Sequence, residues 1–501
     1  MIFFLDNSDL NLRINKDDLC SAQAMSDKGF ANLWAGVRAT YGVGRGNKVF
    51  FEVKVTNNQN TEHLENEPNP HVLRCGWSVD SASLALGTES LSYGYGGTAK
   101  ASTNNRFFNY GQRYGLGDVI GCYLDTTNDP FLITYTLNGM NLGIAFRVWS
   151  NELNGKALYP HVMTKNQDFM VNFGQMDMPM APLMPNFINF SRVQQQNLVR
   201  ATKGPSKKED CEVFQMVGLP GAGKSTWANQ HSLRHPEKKY NIMGTNALID
   251  GMKVMGLLRK GNYHGRWEAL ISKCTDCFNV LMKIAKRRRR NYILDQTNVY
   301  PSARVRKMKD FQGFDCKTII VVPNTLEYER RLTKRTQEEG VQIPPQAIMD
   351  MKANFVLPDI EEKHVENYYA ELNPKEAQEV IQKYNREASE AGVEMKDVCK
   401  KYLQRNSSKR RSMGITEPIG KLWTDLEKPS TSSGSDNVNS SYQYENTSGV
   451  SANDQSGYGR TSYTQVSESQ RYNSSQHQNY SEPQRFNSQQ QNYYGNNYRP
   501  Y

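Results

Sequence analysis

Short apolar runs separated by turn-forming residues fill the first part of the chain. The clearest runs are Val49–Val55, Val119–Leu124 and Leu132–Leu137, and each is long enough for one β-strand. Asn138-Gly139 follows the third run directly and favours a two-residue hairpin turn. Many short strands with glycine-rich connections predict a β-sandwich over residues 1–178. Because no nucleophile and base are suitably spaced in this stretch, we expect a module that recognises a protein ligand.

The pattern changes after a Pro/Met/Asn-rich and then basic connector at residues 179–207. Strand candidates at Val213–Val217, Tyr292–Leu294 and Thr318–Val322 then alternate with helical segments. Alternation of this kind predicts an α/β domain with a parallel sheet over residues 208–365.

A helical extension is predicted at residues 366–405, where four apolar positions share one face: Ala377, Ile381, Tyr384 and Ala388. Such a stripe favours docking on the preceding core or on a partner helix. The remaining chain, residues 406–501, is rich in Ser, Asn, Gln and Tyr and predicts a disordered tail. Its spaced tyrosines are typical of weak self-association, and Lys409-Arg410-Arg411 is a nuclear-import candidate.

A complete phosphate-binding loop, Gly-Leu-Pro-Gly-Ala-Gly-Lys-Ser, follows the strand candidate that ends at Val217. In this motif the lysine supplies charge to the β and γ oxygens, the serine offers a hydroxyl to Mg²⁺, and the next helix directs its positive end at the anion. The alternative is a glycine-rich turn without any chemical role. A turn of that kind would not need to match the phosphate-loop motif at every specified position, as this loop does. We therefore expect a nucleoside triphosphate and Mg²⁺ to be held by Gly218, Gly221, Ala222, Gly223, Lys224, Ser225 and Thr226.

The net charge of +10 is unevenly distributed. Residues 201–310 hold 22 Lys and Arg against 9 Asp and Glu, so the basic surplus surrounds the phosphate loop. This distribution favours a nucleic acid near the nucleotide site over charged helix faces that serve only solubility. The densest run supplies the RNA-contact candidates Lys286, Arg287, Arg288, Arg289 and Arg290, although cations also offset a helix dipole at a C-terminus.

The eight cysteines are scattered, and Cys274-x-x-Cys277 has no second pair, so we expect core thiols rather than metal ligands. No apolar run reaches the 18 residues that a membrane span needs, and no membrane partner is expected.

Two sets of short motifs resemble one protein family. Gly76-Trp77-Ser78, Gly117–Cys122, Pro160-His161-Val162 and Val171–Gln175 resemble a SPRY domain. The phosphate loop, Tyr240–Asn246, Ile293–Asn298 and Asn354–Pro358 resemble the nucleotide-binding module of heterogeneous nuclear ribonucleoprotein U and its relatives. The resemblance implies a nuclear RNA-binding factor linked to pre-mRNA processing and chromatin. The family's DNA-binding SAP helices and arginine–glycine repeats have no counterpart in this chain, so SAP-type DNA binding is not expected.

The α/β module also resembles polynucleotide 5′-kinases, in which a carboxylate after the second strand deprotonates the attacking hydroxyl. Here that position holds Thr245 and Asn246, which cannot act as the base, and Asp250 lies one helical turn farther on. By this resemblance Asp295 takes the Mg²⁺-side position and Asn298 faces the phosphates rather than capping a strand end. The resemblance also implies a lid helix over Leu326–Glu338 whose phosphate-binding arginines are Arg330, Arg331 and Arg335, unless these only balance nearby glutamates.

These inferences predict a nuclear RNA-binding protein that binds ATP through a P-loop domain and has lost its transferase activity. Two alternatives stay open. One is an active polynucleotide 5′-hydroxyl kinase or slow ATPase, and the other is an adaptor that binds protein through SPRY loops and uses the P-loop domain as a scaffold.

Overall fold

The computed structural model describes residues 2–27, 29–64, 67–252, 267–339, 344–360, 362 and 365–426. Most of the predicted tail, from residue 427 onward, lies outside the described residues. Among the helices that the described ranges contain, none is long and apolar enough to cross a bilayer.

Two antiparallel sheets form the β-sandwich. The first sheet contains, in spatial order, β1 Phe3–Ser8, β4 Ala35–Ala39, β14 Tyr159–Lys165, β7 Val72–Ser78, β8 Ser92–Gly96, β9 Thr98–Thr103 and β10 Arg106–Arg113. The second contains β13 Met140–Val148, β12 Phe131–Leu137, β11 Val119–Asp125, β6 Lys48–Asn58, β15 Gln167–Asn172, β3 Ser21–Ala24 and β2 Leu12–Ile14. The turn at Asn138-Gly139 has positive φ at both residues, 50° and 87°, as the sequence predicted for this hairpin.

The core of the sandwich lies between the inner faces of these sheets and is rich in aromatic side chains. Trp77 is fully buried, and its ring meets Phe51 edge-on at 5.0 Å. Short elements complete this half of the chain: β5 Tyr41–Val43, helix α1 Ser150–Leu153 and a 3₁₀ turn at Phe30–Asn32.

The predicted connector packs along the sandwich instead of running free. Strand β16 (Ile188–Asn189) pairs in parallel with β6, and β17 (Leu198–Arg200) pairs with β5. Between them Phe190 is fully buried in the sandwich core, 5.9 Å from the ring of Trp77. Burial of this phenylalanine makes residues 188–200 an integral part of the sandwich.

The α/β domain contains a six-stranded parallel sheet. Its spatial order is β19 Asn241–Met243, β20 Tyr292–Leu294, β18 Glu212–Val217, β21 Asp315–Ile320, β22 Glu366–Tyr369 and β23 Lys421–Leu422. The helices are α2 Lys224–Arg234, α3 Thr245–Gly251, α4 Trp267–Ala285, α5 Pro301–Lys309, α6 Thr325–Glu339, α7 Pro345–Ala353, α8 Pro374–Glu390, α9 Asp397–Met413 and α10 Trp423–Leu426. The predicted fold class, a sandwich followed by a parallel α/β domain, is confirmed.

The C-terminal helices dock on this domain. Helix α8 begins with a capping box at Asn373 and buries all four residues of the predicted stripe, Ala377, Ile381, Tyr384 and Ala388. Helix α9 continues past residue 405, where the sequence predicted that the tail begins, because Cys399, Tyr402 and Asn406 recur at helical spacing and are buried. The basic Lys409–Arg411 run therefore lies in a helix and not in a flexible stretch.

The two halves share one apolar cluster. Met25, Phe30 and Leu33 from the sandwich pack with α4 residues that include Cys274 and Cys277. Both cysteines are fully buried, as the prediction of core thiols requires. An ion pair between Lys239 and Asp80 also joins the halves. The sandwich and the α/β domain are thus packed together over both apolar and charged surface.

Candidate nucleotide-binding site

The phosphate loop lies at the carboxyl edge of the central strand. Strand β18 has β20 on one side and β21 on the other, and residues 218–223 connect it to α2. In a parallel sheet, the connections that follow two adjacent central strands can run to opposite sides. The chain then leaves a crevice between them at the carboxyl edge of the sheet. The loop therefore lies where parallel α/β folds bind ligands.

Close contacts and positive φ angles explain the glycines of this loop. A Cβ on Gly218 would lie 2.4 Å from the carbonyl oxygen of Val321, and its φ is 156°. A Cβ on Gly223 would lie 2.7 Å from a guanidinium nitrogen of Arg331, and its φ is 109°. Gly221 also has positive φ, 82°. The loop can hold this tight course only because these positions carry no side chain.

Lys224 is the first residue of α2 and is buried, with 7% of its surface exposed. Its ammonium donates to the carbonyl oxygen of Leu219, 2.8 Å away, so the charge lies across its own loop. Burial lowers the pKa of Lys224 to about 8, an effect that the nearby Asp295 carboxylate partly offsets. A buried cation with so little protein compensation is suited to an anionic ligand.

Ser225 and Asp295 meet beside the loop. The Ser225 hydroxyl donates to Oδ2 of Asp295 at 2.6 Å, and Asp295 follows directly after β20. Gly244 permits this placement, because a Cβ there would lie 2.1 Å from the Asp295 carbonyl oxygen. A hydroxyl and a carboxylate are oxygen donors of the kind that Mg²⁺ prefers, so this pair fits a magnesium ion beside a phosphate chain.

Helix α6 lies over the loop, in the place predicted for the lid. Tyr328 donates from its hydroxyl to the Pro220 carbonyl oxygen at 3.2 Å. Arg331 donates to the Ala222 carbonyl oxygen and forms ion pairs of 2.7 Å with both Glu327 and Glu371. Carboxylates therefore already neutralise the arginine that is nearest to the loop.

The other two lid arginines differ in position. Arg335 lies four positions after Arg331 on the same face of α6, and its positive charge adds to the effect of burial in lowering the pKa of Lys224. Arg330 is 65% exposed and pairs with Glu327 on its own helix. The structure thus places Arg331 and Arg335 near the phosphate loop and Arg330 at the solvent surface.

Asn298 has a structural environment different from the predicted phosphate-facing one. Asn298 is 3% exposed, and its side-chain amide donates to the Met216 carbonyl oxygen at 2.7 Å. Its Oδ1 accepts from Lys307 at 2.7 Å, and its φ is 47°. Both polar ends of Asn298 have protein partners, so it fixes the bend after β20.

Helix α5 supports the segment that carries Asp295, a role that the sequence analysis did not assign. Lys307 donates to the side chains of Gln296 and Asn298. Its pKa is lowered to about 7, mainly by burial and to a smaller extent by repulsion from Arg306. Arg304 is fully buried and donates to the carbonyl oxygens of Asn298 and Val299 at 3.0 and 3.1 Å. The available signal was that both basic residues lie on the same short helix just after the Ile293–Asn298 motif.

The position of Asp250 does not favour the role of catalytic base. It lines a cleft of about 860 Å³ between the sandwich and the α/β domain, together with Asn7, Asp9 and Gly244. Among the described residues that line this cleft, none belongs to the phosphate loop. Asp250 therefore faces the domain junction.

The basic run after α4 is only partly available to RNA. Arg290 is 5% exposed and donates to the Ser8 carbonyl oxygen of the sandwich at 2.6 Å, so its prediction as an RNA contact is wrong. Lys286 pairs with Asp310 at 2.8 Å, and Arg289 donates to the Ser206 carbonyl oxygen at 2.7 Å. Arg287 is exposed and Arg288 half-buried. The run mainly joins structural elements.

Two family models match the chain. The SPRY domain family matches residues 48–176, and an AAA domain family matches residues 213–358 and includes the phosphate loop. The solved SPRY domain of human HERC1 aligns with 35% of this chain and 99% of its own, at 17% identity and a TM-score of 0.27.

Two curated relatives match both domains together. Proteins named heterogeneous nuclear ribonucleoprotein U-like protein 2, from Mus musculus and Homo sapiens, are each 39% identical to this chain over 381 residues. The alignments cover 76% of this chain, and 51% and 50% of the respective relatives. The chain thus spans about half the length of these relatives. In both its SPRY sandwich and its P-loop domain, the chain is similar to these heterogeneous nuclear ribonucleoprotein U-like proteins.

Proposed function

We propose that this protein binds Mg·ATP through its P-loop domain and associates with RNA in the nucleus, where it acts in pre-mRNA processing. The observation that carries the nucleotide proposal is the 2.6 Å contact between Ser225 and Asp295 beside the buried Lys224. These three residues would combine a magnesium-binding pair with a phosphate-binding cation beside one tight glycine loop. Support for RNA and for the nucleus comes from the relatives, which are named as nuclear ribonucleoproteins, and from the basic surplus around the loop.

In this proposal each residue has one task. The loop N–H groups and Lys224 hold the phosphate chain, while Ser225 and Asp295 hold the magnesium ion. The ion would neutralise phosphate charge and fix the orientation of the chain. Arg331 completes the site by exchanging a carboxylate partner for a phosphate oxygen.

We further propose that the nucleotide is a switching ligand and that transferase activity is absent. Thr245 and Asn246 occupy the position of the base, and neither can accept the proton of an attacking hydroxyl near neutral pH. Asp250, the nearest carboxylate along the chain, lines the junction cleft. Bound nucleotide instead stabilises one position of α6, which already contacts the loop at Pro220 and Ala222.

Calorimetric titration of Mg·ATP into the full chain tests the nucleotide proposal. We expect binding that is lost in Lys224→Met and retained in Lys375→Met, a matched loss of one charge at an exposed site on α8. Failure of the folded wild type to bind would contradict the nucleotide proposal and favour the adaptor alternative.

A second assay separates the switch from the enzyme. The full chain is incubated with γ-labelled ATP and a 5′-hydroxyl oligonucleotide, and label transfer and released phosphate are both measured. We expect neither product above the level of Lys224→Met. Transfer that depends on Lys224 would establish the polynucleotide kinase, and phosphate release alone would establish the ATPase.

A further inference from the structure

A cluster of aromatic rings packs around helix α2, directly after the phosphate loop. Trp227 and His231 lie one turn apart on this helix and stack nearly parallel, with ring centroids 4.8 Å apart and ring planes at 9°. Phe214 of β18 and Trp423 of α10 each contact both of these rings edge-on. None of these four rings has a role in the proposed function.

Trp227 differs from the other three rings in its exposure. Phe214, His231 and Trp423 are buried and belong to the core of the α/β domain. Trp227 is only half-buried and packs against the margin of the same apolar cluster. Because burial of an indole is strongly favourable, an indole that the fold leaves half-buried offers apolar surface to a ligand.

The distances between ring centroids show which face of the Trp227 indole is covered. The Trp423 centroid lies 5.0 Å from that of Trp227 and 5.4 Å from that of His231. The Phe214 centroid lies 5.8 Å from that of Trp227 and 5.1 Å from that of His231. A ring on the far face of Trp227 would lie much farther from His231 than from Trp227. Both rings therefore lie beside the stack, and among the described rings only His231 covers a face of the indole.

The second face of the indole is directed toward the phosphate loop. His231 follows Trp227 by four residues, so it covers the face toward the carboxyl end of α2. The opposite face points toward the first turn of the helix, where Lys224 lies three residues before Trp227. One turn of helix rises about 5.4 Å, which places the indole within reach of a nucleotide whose phosphates the loop holds.

The chain after β22 borders the same region. Ala370 packs against the same apolar cluster as Trp227. The next residue, Glu371, pairs with Arg331 at 2.7 Å, and a Cβ on Gly223 would lie 3.9 Å from its carboxylate. The indole and residues 370–371 are therefore both neighbours of the phosphate loop.

The phosphate loop determines which end of a nucleotide comes near the indole. Lys224 and the Ser225–Asp295 pair are assigned to the β and γ end of the phosphate chain and to its magnesium ion. The ribose and base therefore extend from the other end. Every nucleobase has a flat π-face that stacks on an aromatic side chain, and a purine covers more of an indole than a pyrimidine does.

We propose that Trp227 is the base-binding residue of the nucleotide site and that the second face of its indole stacks on the purine of the bound nucleoside triphosphate. This inference rests on the proposed function, in which the phosphate loop holds Mg·ATP. It adds a contact to the base, which the phosphate loop motif alone does not recognise.

Calorimetry on the full chain compares two ligands, Mg·ATP and Mg·tripolyphosphate, because only the first carries a base. Trp227→Leu keeps an apolar side chain but removes the stacking face, and Trp227→Phe keeps a smaller aromatic face. Trp149→Leu is the matched control, since it removes a tryptophan that is 51% exposed on the sandwich. Circular dichroism melting shows which variants are folded.

We expect Trp227→Leu to bind Mg·ATP on the order of tenfold more weakly and to keep its affinity for Mg·tripolyphosphate within about twofold. Trp227→Phe should recover part of the loss, and Trp149→Leu should bind both ligands like wild type. A second measurement needs no variant. Photolabelling of the wild type with 8-azido-ATP should modify the tryptic peptide 225–234, which contains Trp227.

The results that would overturn the inference are distinguishable. Unchanged Mg·ATP affinity in folded Trp227→Leu would show that the base does not stack on the indole, although the phosphate site stands. Equal losses for both ligands would show that Trp227 only supports the helix. If the wild type binds neither ligand, the nucleotide part of the proposed function fails as well. If Trp227→Leu does not fold, photolabel on a peptide other than 225–234 would still overturn the inference.

Discussion

Mg·ATP binding should take up a proton at mildly alkaline pH, because the loop lysine is poorly solvated before the ligand arrives. Burial lowers the pKa of Lys224 to about 8, so the ammonium is about half deprotonated at pH 8. Phosphate oxygens favour the charged form and raise this pKa again. Binding should therefore take up about 0.1 proton at pH 7, about 0.5 at pH 8 and about 0.9 at pH 9.

The affinity follows from the same equilibrium. Only the fraction of protein with a charged Lys224 binds well, so Kd should be about tenfold higher at pH 9 than at pH 7, or about 1.4 kcal/mol. An ordinary lysine, with a pKa near 10.4, would give almost no change in this window. The same shift affects the stability of the ligand-free protein. Between pH 8 and about pH 10.4, Lys224 is still protonated in the unfolded chain but has lost its proton in the folded protein. The contribution of Lys224 to the free energy of unfolding therefore rises with pH in this window.

Calorimetry in two buffers of different ionisation enthalpy measures the uptake directly. Titrations of the wild type at pH 7, 8 and 9 should give a proton uptake of about 0.1, 0.5 and 0.9, respectively. Lys224→Arg is the matched control, since a guanidinium stays charged across the range and any binding that survives should take up no proton. A wild-type affinity that is constant from pH 7 to 9, with no uptake, would refute the reasoning.

Three further outcomes are expected. Ser225→Ala should weaken the magnesium dependence of ATP binding, and it should lower the free energy of unfolding by about 1 kcal/mol because the hydrogen bond to Asp295 is lost. An unchanged magnesium titration would contradict the assignment of Ser225 and Asp295 as the magnesium ligands. Arg290→Met should lower the free energy of unfolding, measured in urea, by about 1–3 kcal/mol, because the Arg290 guanidinium bonds to Ser8 across the domain junction. RNA affinity should stay within about twofold of wild type, and a large loss of RNA binding would show that Arg290 is an RNA contact after all. Glu371→Gln should release Arg331 for phosphate and increase ATP affinity a few-fold by calorimetry, whereas weaker binding would mean that the ion pair positions the arginine.

Local pattern was sufficient for the elements and for the phosphate loop. Strand β20 has the same bounds as the apolar run Tyr292–Leu294, and the four-residue stripe of α8 is buried as predicted. These features depend on neighbours within a few residues, so periodicity and turn chemistry specify them. The loop is likewise a contiguous motif whose strand and helix follow from adjacent sequence.

Contacts between distant parts of the chain could not be predicted. Arg290 is buried because it meets Ser8, 282 positions earlier and in the other domain. Asn298 faces inward because Met216, on the neighbouring strand, accepts its amide. The last part of α9, residues 406–413, was assigned to the tail, and the burial of Tyr402 against Glu362 becomes visible only when the helix is docked. Composition gives the sign of a surface but not which of its charges the fold has already paired.

The segment 188–200, which carries Phe190, has a practical consequence for experiments on the sandwich alone. The matched SPRY segment ends at residue 176, yet the phenylalanine ring that covers one side of Trp77 arrives 14 positions later. An isolated domain cut at residue 178 would expose indole surface and leave β5 without its partner β17. Such a fragment would be prone to aggregation and to nonspecific capture of apolar peptides. Ligand screens on this domain should therefore use fragments that extend beyond Ala201, which is itself buried against Tyr159.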